Sequence, residues 1–362
     1  MKKLFDDWFT RYFSDPQVVI LAVLLIIASL TIFFVGDILV PVFAALIIAY
    51  LLEGSIDSLQ RYKIPRFVAL MISFSLFLLM LLLTIFVLAP LMVRQATQFV
   101  VQIPRMMTEG QALLMQLPEK YPNIMSEAQM MEIIGGLRAQ AAELSQNVVS
   151  FSLASVADVL TFMVYLIMVP LLIFFFLIDK DKIIYWAQGF LPKDRTLVAS
   201  IWHEVNQKIA GYIRGKFAEI LVVWIVSLIT FLSLGLEYAV LLSFMVGVSV
   251  LIPYVGAAVI TAPIALVAYF QWGFDSNFAY VMIAYAIIQF LDGNLLVPLL
   301  FSEMVNLHPT AIIVAVLVFG GLWGIWGVFF AIPLATLINA VINAWPHHQE
   351  EKPTQISRQT AN

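Results

Sequence analysis

The 362-residue chain has no cysteine, which excludes a disulfide framework, a thiol nucleophile and a thiolate metal site. It is also poor in charge: Asp, Glu, Lys and Arg supply 12% of its residues, against about 25% in an average soluble domain. From Phe217 to Gln349 lysine and arginine are absent, and the charged side chains are Glu219, Glu237, Asp275, Asp292 and Glu303. The net charge of −4 therefore hides an acid-only segment.

What fills the chain is apolar. Hydrophobic residues make up 62% and the mean hydropathy is +0.97. Continuous apolar blocks recur that are long enough to cross a ~30 Å hydrocarbon core at ~1.5 Å per residue. Continuous runs, rather than alternating segments, imply helices and not a barrel. The sequence predicts an all-α polytopic membrane protein of about eight transmembrane helices, in contact with the lipid bilayer.

The block Val18 to Val35 is long for a signal-peptide core and no small-x-small site follows it, so it is expected to stay as a first span. Before it, residues 1–17 place Phe5, Trp8, Phe9, Tyr12 and Phe13 at helical spacing among charges, which fits an interfacial helix or equally a frayed terminus. Spans are expected at 18–35, 38–52 and 67–90, with Gly36 and Asp37 forming a tight turn. Residues 91–150 are polar and Met-rich. There Ala96, Phe99, Ile103, Met106, Gly110, Leu113 and Leu117 step by three or four, an amphipathic stripe expected to form a helical insertion outside the membrane. A fourth span is expected within 151–178. Residues 179–216 hold seven Lys or Arg and residues 53–66 hold three, whereas 91–150 hold four over a much longer stretch. The positive-inside rule then puts 53–66 and 179–216 in the cytoplasm, the N-terminus with them, and 91–150 outside.

The remaining segment, 217–345, reads as a transport unit, followed by a polar tail at 346–362 expected to be cytoplasmic. After a span at 217–235, three long apolar blocks are each interrupted: at Pro253 to Gly256, at Asp292-Gly293-Asn294, and at Gly320, Gly321, Gly324 and Gly327. Irregular backbone at membrane depth is tolerated only where protein or a water-filled cavity satisfies it, so the breaks point to broken or re-entrant helices around a cavity. Whether 239–272 and 309–344 cross once or fold back is open at this level. Asp-Gly-Asn is strong turn chemistry, with Gly293 expected at positive φ, and Pro298 is expected to unwind 292–297. Pro309 suits the first position of a new helix with His308 as its N-cap. A carboxylate at the centre of a span costs about 2.5–3.5 kcal/mol on insertion scales, so Asp292 should face a cavity or a partner. Two readings stand: Asp292 caps a helix end near the headgroups, or Asp292, Asn294, Gln289 and Tyr254 line a path for a polar substrate or ion. Glu303 and His308 fit an interfacial loop as well as a path.

Enzymatic signatures fail one by one. "GYIRGKF" at 211–217 lacks the spacing and the Ser/Thr of a phosphate loop, and "HEVNQ" at 203–207 lacks the second His of a zinc helix. No nucleophile elbow or dinucleotide fingerprint is present. Seven of the fifteen methionines fall in 92–131, where flexible packing explains them better than soft-metal binding. No enzyme, cofactor, metal or nucleic-acid partner is expected.

"LIPYVGA" at 251–257, "QFLDGNLLVPLLFSEMVNLHP" at 289–309 and "GGLWGIWGVFFAIPLATLINAVI" at 320–342 resemble, in order and spacing, the C-terminal signatures of the autoinducer-2 exporter (AI-2E) family. The resemblance covers nearly the whole chain and puts Pro253, Tyr254, Gly256, Asp292, Asn294, Pro298, His308, Pro309 and Pro333 in signature positions. It implies a bacterial inner-membrane homo-oligomer, pentameric in the family's known architecture. It also implies a secondary transporter that exports a small polar solute of the autoinducer-2 type or, alternatively, exchanges sodium for protons through Asp292. A scaffold that binds an envelope partner through 91–150 is the remaining alternative.

Overall fold

The computed structural model describes residues 16–114, 131, 135–136, 156–189, 196–253, 255–301 and 308–344. Among them the regular structure is helical. In chain order it comprises α1 (Pro16–Arg61), α2 (Arg66–Leu83), α3 (Ala89–Leu114), α4 (Val156–Ile178), α5 (Lys180–Gln188), α6 (Thr196–Ser233), α7 (Ala239–Ser249), α8 (Val255–Trp272), α9 (Ser276–Leu291), α10 (Val297–Phe301) and α11 (Pro309–Ala344). Among the described residues six stretches are long and apolar enough to cross a membrane, and three shorter apolar helices accompany them.

The first correction concerns Gly36 and Asp37, which lie inside α1 and form no turn. A lone glycine costs a helix only about 1 kcal/mol, and strong apolar helix formers flank it on both sides. α1 thus extends about 69 Å at ~1.5 Å per residue, which puts Pro16 and Arg61 at opposite ends of one rod. Placing the N-terminus on the side of residues 53–66 depended on that turn and loses its basis. The boundary at 216/217 is corrected too, because α6 passes straight through it.

Two five-residue π-helical turns interrupt otherwise continuous helices. Thr84–Leu88 joins α2 to α3, where Ala89 N–H bonds Thr84 O, and Asp292–Leu296 joins α9 to α10, where Val297 N–H bonds Asp292 O. Each is followed two residues later by a proline, Pro90 or Pro298. A proline in a helix lacks its N–H and presses on the carbonyl four residues back; widening the preceding turn moves that carbonyl aside. Residues 292–297 are therefore wound, not unwound as expected, with Asp292 and Val297 in right-handed helical geometry. Gly293 is not among the residues of positive φ.

One end of the bundle is charged. There Glu53 of α1 accepts from Arg66 (3.1 Å) and Lys180 (2.7 Å), and Tyr50 donates to Asn206 of α6. Above these contacts the small residues Ala45, Ala49 and Ala69 let α1 and α2 approach α4, whose Ile173 and Leu177 are fully buried. The far end is tied by two glutamines. Gln95 of α3 accepts from Leu241 N–H in the first turn of α7 (2.9 Å), and Phe99 packs edge-on against Tyr238. Gln271, in the last turn of α8, donates to Gly235 O (2.8 Å) and accepts from Glu237 N–H (2.9 Å). Since residues 235–237 precede α7, this second clamp ties the end of α8 to the approach to α7.

The pair α7–α8 is therefore a helical hairpin that starts and finishes at the far end, with its tip at Val250 to Pro253. At the tip a Cβ on Gly256 would collide with Ser249 O, so only glycine allows so close an approach. α11 folds back as well. Its helical backbone is broken at Trp323 (φ −130°, ψ 15°) and Gly324 (φ 59°, ψ −136°). A Cβ on Gly327 would strike Phe319 O, while Ile312 and Ile332 of its two arms share one cluster with Tyr212 and Ile213 of α6. Thus 239–272 and 309–344 are both hairpins. The break predicted at Gly320 to Gly327 is a single reversal at Trp323–Gly324, and Pro333 sits inside the returning arm without interrupting it.

Candidate functional site

α6 is the axis on which the C-terminal elements converge. Val223 and Phe231 enter the main core with Leu242 and Val246 of α7, Ile264 and Val267 of α8, and Val281, Tyr285 and Ile288 of α9. One face of α6 is not apolar. In "YIRGKFAE", 212–219, Lys216 and Glu219 fall three residues apart, hence on one side of the helix.

Both charges are buried: their side chains are 6% and 2% exposed. Lys216 Nζ lies 2.5 Å from Glu219 Oε2 and donates to Val250 O at 3.1 Å. It also stands over the Phe301 ring, 5.3 Å from the centroid. Val250 follows the last residue of α7, so the ammonium sits at the carbonyl-rich end of a half-helix, where the helix dipole favours a cation. Gly215 permits the approach of the opposite wall, since a Cβ there would come within 2.9 Å of Phe301 Cε1. One turn earlier Tyr212 packs at a tilt against Phe301 and edge-on against Phe329 (5.8 and 6.5 Å) and points its hydroxyl at Phe329 O (3.4 Å), which docks the α11 hairpin below the charges.

Asp292 completes the group. It opens the second π turn, which packs on α6. It is 9% exposed, its Oδ1 has no hydrogen-bond partner among the described residues, and both Lys216 and Glu219 are near enough to act on it electrostatically. At ~1.5 Å per residue it lies about 24 Å from Ser276 and about 13 Å from Phe301, well inside a crossing helix. Glu219 is similarly about 20 Å from each end of the Asn206–Ser233 stretch. Both residues thus lie away from the ends of their helices.

The structure gathers some of the sequence candidates and disperses others. Gln289 stands one turn before Asp292, next to the Tyr285 hydroxyl, which donates to Ala257 O at 2.8 Å with Thr261 alongside. Asn294 is not part of the group: it is exposed and its Nδ2 returns to Phe290 O of its own helix (2.9 Å). Pro298 is exposed and shapes the π turn. Pro253 is at the tip of the α7–α8 hairpin. Tyr254 and Glu303 lie outside the described residues. His308 caps α11, with Nδ1 accepting from Thr310 N–H (3.3 Å) and Pro309 in first position as expected, but no described contact joins it to the buried charges. Among the described residues no cluster of three or more His, Asp or Glu is arranged to hold a metal.

Lys216 and Glu219 are the site residues that sequence reasoning missed. The signal was available: no breaker separates "YIRGKFAE" from the apolar run after it, so both charges belong to the span. Assigning Lys216 to a cytoplasmic segment split the pair across an imagined boundary.

Comparison with known proteins agrees with this architecture. The family model described as "AI-2E family transporter" matches residues 19–347. The Escherichia coli (strain K12) protein named "Putative permease PerM" is 44% identical over 96% of this chain and 99% of its own length. The Bacillus subtilis (strain 168) protein named "Putative transport protein YueF" is 29% identical over 85% of this chain and 84% of its own. The chain is a multi-pass membrane transporter and belongs to the AI-2E family.

Proposed function

We propose that the chain is a secondary transporter of the bacterial inner membrane that exchanges protons for a monovalent cation at Asp292. The observation that carries this reading is the unpartnered Asp292 Oδ1, buried inside a crossing helix beside a lysine that is already committed to Glu219. A carboxylate left bare at that depth is costly, and a proton or a monovalent cation each relieve the cost. Alternation between the two is the minimal chemistry of exchange. In support, a Halobacillus andaensis protein named "Sodium-lithium/proton antiporter" is 23% identical over 92% of this chain and 97% of its own length.

The hairpins supply a way for the site to face one side at a time. α7–α8 enters from the far end and α11 from the charged end, and both reach α6 next to Lys216. Basic residues at the charged end, Arg61, Lys63, Arg66, Lys180 and Lys182, support a cytoplasmic position for that end and an outer one for the α3 end. Broad exposed apolar faces on α2, α4 and α9 fit lipid and neighbouring copies in a homo-oligomer.

Export of a small polar solute, of the autoinducer-2 type that the family description names, is a second reading. Gln289 and Tyr285, one and two turns before Asp292, favour it together with Thr261 of α8, because they offer hydrogen-bonding groups on two neighbouring helices. The two readings part in one assay. Purified protein in liposomes with an internal pH dye should move protons when sodium or lithium is added, and Asp292→Asn should not. A folded wild type that gives no cation-dependent pH change would rule out exchange and leave solute efflux as the activity to test.

A further inference from the structure

We infer that Lys216 is a built-in counter-ion that fixes the exchange at one monovalent cation per proton, so that transport moves no net charge. This rests on the exchange reading above and specifies its stoichiometry. The group contains one cation and two carboxylates. Glu219 Oε2 lies 2.5 Å from Lys216 Nζ, and that nitrogen is held further by Val250 O (3.1 Å) and the Phe301 face (5.3 Å). All three contacts suit an ammonium. α7, α8, α9, α10 and α11 bring no other charged side chain than Asp292 at the α9–α10 turn. On α6 the next charge is Arg214, whose side chain lies against Gly54 of α1 and whose Nε bonds Ala210 O. Glu53 is occupied by Arg66 and Lys180 at the charged end.

The ammonium balances the Glu219 charge as an ion pair at 2.5 Å, and Glu219 Oε2 accepts no hydrogen bond beyond that contact among the described residues. Asp292 alone carries the unbalanced charge, and a single proton or a single cation cancels it. Either loaded form presents a neutral group to the low-dielectric interior, and the unloaded form does not. Without the lysine, two neighbouring carboxylates remain. Each can hold its own proton, but two cations side by side repel, so a shared cation would return against two protons.

The experiment uses the full-length protein in liposomes carrying a pH dye, with sodium as the cation and a membrane potential set by a potassium gradient and valinomycin. Wild type should exchange at a rate that changes less than twofold between potentials of opposite sign. Lys216→Met should become potential-driven, while Lys216→Met combined with Glu219→Met should exchange independently of potential again. Potential-driven exchange by wild type overturns the inference alone, as does a Lys216→Met protein that exchanges just as wild type does. The double variant keeps the test sharp if Lys216→Met fails to fold, because a folded double variant unable to exchange sodium for protons would put the exchange on Lys216 or Glu219 and overturn the inference. No sodium-dependent proton movement in wild type sinks the exchange reading together with the inference.

Discussion

Gly256, at the start of α8, lies so close to Ser249, at the end of α7, that a Cβ on the glycine would overlap the serine carbonyl oxygen. The same relation holds between Gly327 and Phe319 in α11. In each case the neighbouring atom is backbone and cannot swing away. Gly256→Ala and Gly327→Ala should each cost about 1–3 kcal/mol through overpacking. Gly293 has open space around its Cβ position and helical neighbours, so Gly293→Ala should gain up to about 1 kcal/mol. Thermal unfolding of the three variants in one detergent checks the contrast, and equal behaviour would refute the hairpin geometry.

Breaking the ion pair on α6 from one side should be far worse than deleting it. Lys216→Met leaves Glu219 bare in the interior and should destabilise by about 3–5 kcal/mol, whereas removal of both charges should restore most of the loss. Unfolding midpoints of the two single variants and the double variant test this. Additive losses would mean that the side chains do not form a pair.

Pro298 and Pro90 stand at the same spacing after the two π turns, but only the Asp292–Leu296 turn carries a carboxylate. Pro298→Ala should let the helix tighten to α geometry and rotate Asp292 by up to about 100° from α6. The expected result is a folded protein with at least tenfold less cation-dependent proton movement. Pro90→Ala should tighten the other turn and keep transport. Loss of activity in both, or in neither, would separate the π turn from function.

The absence of cysteine makes the topology directly testable, since each engineered thiol is the sole target. Glu237→Cys and Asp275→Cys, at the two ends of the α7–α8 hairpin, should react from the same face of the membrane with a charged maleimide. Lys63→Cys and Lys182→Cys should react from the other. Labelling of positions 237 and 275 from opposite faces would turn the hairpin into a crossing.

Much of this architecture is written in local sequence. Apolar blocks reveal the class, Pro253 to Gly256 mark one hairpin tip, and Pro309 after His308 marks a helix start. The alternating stripe on 91–114 reaches the structure as Phe99 against Tyr238 and Gly110 against Phe270. What misled were residues whose effect depends on context. Gly36-Asp37 reads as a turn, yet nothing tertiary asks for one there. Asp292-Gly293-Asn294 reads as a break, but one extra residue in the turn is enough to accommodate Pro298. Asp292 was legible because a carboxylate inside an apolar run is expensive, while Lys216 and Glu219 resemble an ordinary surface pair until three-dimensional packing encloses them.

The Gln95 bond to the first turn of α7 has a mechanical consequence. α3 continues from α2 and is fastened to the outer end of the hairpin whose inner end touches Lys216. A load applied to α3, by a ligand or by a neighbouring subunit, is transmitted along α7 as along a lever of about 16 Å, with its short arm resting on the ammonium.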